Sequence, residues 1–405
     1  MRQTASVYEK ILDQSNRSNP YPLYAELRKI PVSRQEDGTY VVSTYREIVA
    51  LLHDPRISSD PHLLREDYYP RRESALGGFI ALDPPNHDRT RRLAMRHFGP
   101  PHDPERIDSM RPWFVEVATG LIDSFGGGNR VDVVDDFAYP FPVTVICRIL
   151  GVPRDDEPRF RRWVDAISEV IDPRRARDPE YIEKRELATA DLGRYLAQLA
   201  DAHRQEPGDD LLSGLVTDPG PEGPMSREEL IGTARLLLFA GHETTVNLIA
   251  NGILTLLRHP GALERLRNEP EFVIRTVEEL LRYEPPVHFL PNRVALDDVD
   301  IAGTTIPRGS PVTLALASGN RDPARFPDPD RFDPERVDNQ HLGFGSGIHA
   351  CFGAPLARTE AQIALTELAR RLENPRLVAD PPPYGESPVL RGPRHLLVQF
   401  DGIAA

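Results

Sequence analysis

Apolar residues recur at three- and four-residue intervals through most of the chain from Asn19 to Gly208, as in Tyr21 to Arg28 and Arg111 to Phe125. That period puts one apolar stripe on each helix, so this half predicts a series of amphipathic helices. Short strand-like runs occur at Thr39 to Thr44 and between Arg293 and Leu316. Within the second, Val299 to Gly303 and Thr305 to Gly309 predict paired strands with turns. Prolines stop the periodic segments at Pro84-Pro85, Pro285-Pro286 and Phe326 to Asp330. The stretch Thr217 to Pro224 predicts a surface loop rather than a linker, because helical patterns flank it on both sides. The expected fold class is mainly α with a minor β component, in a single domain over residues 1–405.

The strongest helical pattern runs from Ser226 to Arg258. Ser226 followed by Glu229 makes a capping box, and His259-Pro260-Gly261 supplies the stop. As one helix it would be about 50 Å long. Its middle, Leu236 to Gly241, is apolar on nearly every face, which sends it through a core. Gly241 costs about 1 kcal/mol there relative to alanine. Glu243, Thr244 and Thr245 then place an acid and two hydroxyls in the same turn. One reading is a packing glycine beside a satisfied polar cluster. The other is a widened groove in which Glu243 and Thr244 hand protons to a ligand held against Ala240 and Gly241.

Charge narrows the field. Forty-nine Lys and Arg against 62 Asp and Glu give a net charge of −13, which argues against a broad nucleic-acid-binding surface. No apolar stretch approaches the ~18 residues of a membrane span, and the first ten residues lack a signal-peptide core. The expected location is cytoplasmic, without membrane or nucleic-acid partners.

Two cysteines occur, so no disulfide framework is indicated. Cys147, in an apolar run from Phe141 to Leu150, reads as a small buried hydrophobe. Cys351 differs. It ends a glycine-rich loop, FGSGIHACFG from Phe344 to Gly353, just before a helical segment that begins at Pro355. A helix N-terminus favours thiolate over thiol, and glycines let amides and a flat cofactor approach. Zinc would need about four closely spaced Cys or His ligands. One His-Ala-Cys does not supply them, whereas a single thiolate is a complete protein ligation for haem iron.

With these motifs in order, the sequence resembles the cytochrome P450 family, specifically its soluble bacterial members, over essentially the whole chain. The loop fits the pattern Phe-Gly-x-Gly-x-His-x-Cys-x-Gly; Ala240 to Thr245 resembles the oxygen-activating stretch of the family's long helix. Glu279-Leu-Leu-Arg282 resembles its Glu-x-x-Arg, and Pro334-Glu-Arg336 the later segment whose Arg336 joins that pair. Residues three apart share a helix face, so Glu279 and Arg282 would pair on any reading. Val337 and Phe352 depart from residues common in the family without removing a required group.

The resemblance implies haem b (iron protoporphyrin IX) between the long central helix and the cysteine-loop helix. It implies Cys351 as the metal ligand, His87, Arg91, Arg293 and His349 on the haem propionates, and Glu279, Arg282 and Arg336 as a structural network. Glu243 and Thr244 would be catalytic, delivering protons during O2 activation. Leu236, Phe239, Ala240, Val287, His288 and Phe289, with the segment around Tyr69 to Ile80, would form a mostly apolar substrate pocket. The implied activity is a monooxygenase hydroxylating a small hydrophobic or amphipathic compound of secondary metabolism. Electrons would come from a ferredoxin and an NAD(P)H-dependent ferredoxin reductase, and the enzyme would be a monomer. Arg89, Arg92, Arg96 and Arg358 are candidate docking points for an acidic ferredoxin. Competing readings are a peroxide-driven oxygenase and a haem-thiolate gas or redox sensor.

Overall fold

The computed structural model describes residues 5–64, 77–100, 102–103, 105–168 and 178–404. It is 53% helical and 11% strand. The predicted amphipathic helices appear at Tyr21–Leu27, Arg111–Asp123 and Pro179–Gln205, with Asn86–Phe98 and Pro140–Leu150 among others. Each turns its apolar stripe inward: Phe114, Ala118 and Ile122 are buried on one face of Arg111–Asp123. Among the described residues no helix is long and apolar enough to cross a membrane.

The strands form a five-stranded sheet in which Tyr40–Val42 runs parallel to Pro311–Leu314 and the remaining pairs are antiparallel. Leu290–Ala295 lies between Pro311–Leu314 and Ile57–Ser58. The predicted pairing near residue 300 is a hairpin, with Val299 opposite Ile306 and Ile301 opposite Thr304. Ala302 and Gly303 both have positive φ, 49° and 75°, as the two central residues of a tight hairpin turn require. Two apolar clusters result, one among the helices and one on the sheet, and Val287 packs against both.

The capping box at Ser226 is present: its hydroxyl accepts from the Glu229 amide at 3.1 Å, and the Glu229 carboxylate accepts from the Ser226 amide at 2.7 Å. The long helix it starts is not continuous. It runs from Arg227 to Ala240, breaks at Gly241 and His242, and resumes from Glu243 to Arg258. The cause is local competition for carbonyls. The Thr244 hydroxyl donates to the Ala240 carbonyl at 2.8 Å, and the His242 amide bonds three residues back, to Phe239, at 3.3 Å. A hydroxyl that takes a backbone acceptor displaces the regular ladder.

Candidate active site

The broken helix, the helix Ala354–Arg371 and the strand Leu290–Ala295 enclose an elongated, largely apolar cavity. Ala240, Gly241, Thr244 and Leu248 line one wall at helical spacing; Phe344, Cys351 and Leu356 lie on the wall formed by the loop and its helix. Gly241 serves both readings of its role. A Cβ there would stand 2.9 Å from Ile146 Cδ1 and 2.9 Å from the Leu237 carbonyl oxygen, so packing demands glycine while its bare face opens the cavity.

The cysteine loop is held by its glycines. Gly345 and Gly347 have φ of 66° and 72°, and a Cβ on Gly347 would fall 2.3 Å from the Leu52 carbonyl oxygen. The Cys351 amide donates to the Phe344 carbonyl at 2.8 Å, closing the loop. Cys351 is exposed by surface area, yet deeply surrounded by protein atoms, because the surface it shows is cavity wall. Burial raises its pKa, and this outweighs the lowering by the Gly353 and Ala354 amides and by Arg91 and Arg358. Cys147 matches expectation: it is buried, and burial pushes its thiol far above the ordinary range.

Beside His349, which lines the cavity with Arg91 and Arg293, cationic and ring-nitrogen groups converge, and three ring nitrogens lack acceptors among the described residues. His87 Nδ1 meets Asp88 at 2.7 Å, but among the described residues its buried Nε2 has no partner, nor does either ring nitrogen of His349. The two rings lie 4.3 Å apart. Burial, then Arg293, His87 and Arg91, push His349 down to about 3. Burial likewise lowers Arg293 to about 10 and lowers Arg91, which donates to the Ala350 carbonyl at 2.7 Å. Buried donors left unpaired are costly. This set fits a bound group carrying carboxylates, above a cysteine and between apolar walls. It fits haem b on all three counts.

Glu279, Arg282 and Arg336 come together as expected, and none lines the cavity. Arg282 grips Glu279 through two bonds of 2.8 and 2.7 Å, with both side chains fully buried. Arg336 Nε lies 3.6 Å from the same carboxylate, while its other nitrogens donate to the Pro327 and Asp328 carbonyls. Arg282 also caps the carbonyls of Asn320, Pro329 and Arg331, and Glu279 accepts from the Asp333 amide. The network ties the helix Phe272–Tyr283 to the segment leading into the cysteine loop.

Several expectations need correction. Thr244 lines the cavity, but Glu243 does not; it is half-buried on another side of the helix. Leu236, Ala240 and Val287 line it as expected. Phe239, His288 and Phe289 do not. Phe239 is buried in the helical core. His288 accepts or donates to the Tyr24 hydroxyl at 2.8 Å, and Phe289 packs edge-on against Tyr8. These side chains anchor the N-terminal helices instead. Leu237, Thr245 and Leu290 were missed; the spacing 237, 241, 244, 248 on one helix face was the signal for the first. Phe79 and Ile80 line the cavity, whereas residues 65–76 fall outside the described part. The four candidate docking arginines each hold an acid: Arg89 with Glu229, Arg92 with Glu222, Arg96 with Asp218 and Arg358 with Glu278.

Comparison with known proteins identifies the family. The family profile described as Cytochrome P450 matches residues 32–400. The chain is 41% identical to "Cytochrome P450 monooxygenase PikC" of Streptomyces venezuelae over 96% of this chain and 93% of that protein. It is 39% identical to "Mycinamicin IV hydroxylase/epoxidase" of Micromonospora griseorubida, over 93% and 94% respectively. The crystal structure of Mycobacterium smegmatis CYP164A2 in the ligand-free state superposes with a TM-score of 0.89 at 38% identity, covering 97% of this chain and 99% of that one. The chain thus belongs to the cytochrome P450 family. It is a monooxygenase whose cofactor is haem b, held in this family through a cysteine thiolate.

Proposed function

We propose that the protein hydroxylates a hydrophobic or amphipathic natural product, with one oxygen atom entering a C–H bond and the other leaving as water. The balance consumes one O2, two electrons and two protons. The observation that carries this reading is the mainly apolar cavity lining, with Leu236, Ala240 and Val287 sharing it with Thr244 and Cys351. Such a lining holds an apolar substrate with few polar anchors. The names of the relatives, mycinamicin IV hydroxylase/epoxidase and 6-deoxyerythronolide B hydroxylase, support the substrate class.

In this reading Cys351 is the iron ligand, and His87, Arg91, Arg293 and His349 hold the propionates, with His87 Nε2 and both His349 ring nitrogens left without a partner among the described residues. Haem b, when bound, supplies O2 reduction and oxygen transfer, with the thiolate donating electron density. Thr244 has its own proton committed to Ala240, so it offers a lone pair to the cavity and orders protic groups there. Glu243, off the wall, relays protons toward that hydroxyl through water. The Glu279–Arg282–Arg336 network holds the cysteine-loop segment in place. Electrons reach the enzyme from a separate ferredoxin and its NAD(P)H-dependent reductase, in the cytoplasm, and the chain acts as one monomeric unit. Because Arg89, Arg92, Arg96 and Arg358 are already paired, a docking ferredoxin must compete with internal carboxylates for them.

The deciding experiment measures product formation with ferredoxin, reductase, NAD(P)H and O2 against hydrogen peroxide alone. Turnover in the first mixture supports the proposal. Turnover only with peroxide overturns the ferredoxin route, and none in either overturns the oxygenase reading.

A further inference from the structure

Three side chains with metal-ligating atoms converge away from the cavity, where the C-terminal strand meets the middle of the chain. Asp132 closes the strand Arg130–Asp132, Asp135 follows in the turn Val134–Ala138, and His395 leads into the strand Leu397–Gln399. One ligand atom from each lies within 4.8 Å of the other two, and none of the three residues lines the cavity.

Backbone pairing sets this convergence. Leu397 stands opposite Asp132 in the antiparallel ladder, which brings His395 beside the turn. Asp132 Oδ1 accepts from the Val134 and Leu396 amides at 3.1 and 3.0 Å, so its carboxylate is fixed and Oδ2 is left for the site. His395 Nδ1 lies 2.8 Å from Asp132 Oδ2 and 3.3 Å from Asp135 Oδ2. A ring nitrogen carries at most one proton, which serves one carboxylate well, yet here the same nitrogen faces two. Two carboxylates this close repel unless positive charge sits between them. Among the described residues no arginine or lysine forms an ion pair with Asp132. Asp136 adds a third acid to the turn, its carboxylate accepting from the Asp132 amide at 3.0 Å. A proton on Nδ1 satisfies one of the three ligand atoms in full; a cation among them satisfies all three.

We propose that Asp132, Asp135 and His395 form a binding site for a divalent transition-metal ion of the zinc class, with water completing its shell. The donor set decides the class, because an imidazole nitrogen with two carboxylates suits zinc, whereas magnesium and calcium take oxygen alone. At metal–ligand distances of about 2.0–2.2 Å, tetrahedral ligand atoms stand about 3.4 Å apart. The 3.3 Å contact already matches, and the 2.8 Å contact opens by roughly half an ångström when the ion replaces the proton. The side chains of Asp132, Asp135 and His395 are 15%, 32% and 42% exposed, which leaves an open side for water. Bound there, the ion ties the C-terminal strand to a turn that packs against the helix Glu243–Arg258. The site stands apart from the oxygenase reading, since its ligands do not touch the cavity.

The test titrates zinc chloride into haem-loaded enzyme that has been treated with a chelator and desalted. One equivalent should bind, with X-ray absorption at the zinc edge showing one imidazole among oxygen donors. The melting midpoint should rise with zinc chloride and stay put with magnesium chloride, because only an ion bound to the folded state stabilises it. His395→Ala should lose that equivalent and Asp135→Asn should weaken it, both with wild-type haem absorbance per protein. Should the alanine variant not fold, Asp135→Asn carries the comparison. Absence of a stoichiometric site in the wild type, a zinc shell without imidazole, or equal binding in wild type and variants overturns the proposal.

Discussion

The Thr244 hydroxyl donates to the Ala240 carbonyl at 2.8 Å, bridging the break in the central helix. One contact thereby does two jobs: it takes the acceptor that a regular helix would use, and it aims the threonine's free lone pair at the cavity. Thr244→Ala removes both. Product per NAD(P)H should fall roughly 10- to 100-fold while NAD(P)H is still consumed and hydrogen peroxide is released, water replacing part of the ~10²–10⁴ that a positioned proton-transfer group contributes. Thr244→Ser should keep most of the coupling. Parallel assays of product, peroxide and NAD(P)H decide it, and unchanged coupling in the alanine variant rejects the role.

Gly241 leaves no room for a methyl group against Ile146. Gly241→Ala should cost about 1–3 kcal/mol, the usual range for overpacking. Pairing it with Ile146→Val should recover part of that loss, because the clash is with the Ile146 Cδ1 atom. Chemical denaturation of the two single variants and the double variant measures the coupling, and strict additivity would show that the contact is not responsible.

The fully buried Glu279–Arg282 pair should tolerate little. Arg282→Leu leaves Glu279 without its bidentate partner, and the loss should be about 3–5 kcal/mol. Five carbonyl and carboxylate hydrogen bonds go with it, so the cysteine-loop segment should loosen and haem content fall. Denaturation midpoint and haem absorbance per protein check both effects. A variant with wild-type stability and haem content would remove the network's structural role.

Glu278 gives an acid-side prediction. Burial would raise its carboxyl, but His341 and Arg358 hold it down at about 2, against an ordinary 4.5. A depressed acid contributes stability that is complete above pH 4.5 and is lost as pH falls through 2. The shift corresponds to about 3 kcal/mol at most, and solvent screening of this half-exposed pair cuts it to roughly 1–2. Glu278→Gln should therefore lower stability at pH 6 and flatten its decline between pH 4.5 and 2. Unfolding free energies at several pH values provide the comparison.

Features decided over a few residues were legible in the sequence. The Ser226–Glu229 cap, the turn at Ala302-Gly303 and the Glu279–Arg282 pairing each depend on neighbours three or fewer positions apart. The cysteine loop was legible for the same reason, since its glycines shape the backbone locally. His288 and Phe289 show the limit. Nothing in a Val-His-Phe run says which side chains turn toward a ligand and which toward Tyr24 and Tyr8, which lie more than 260 residues earlier.

The sequence by itself therefore determined the family, the cofactor and the loop that presents Cys351, because short-range backbone chemistry and ordered motifs encode them. Only the tertiary structure decided which residues face the cavity, that Glu243 stands off its wall and that His395 meets Asp132 and Asp135. It also decided that the cysteine's burial outweighs its helix terminus. Burial and facing are set by elements far apart in the chain that pack together, and no local pattern records the distance between them.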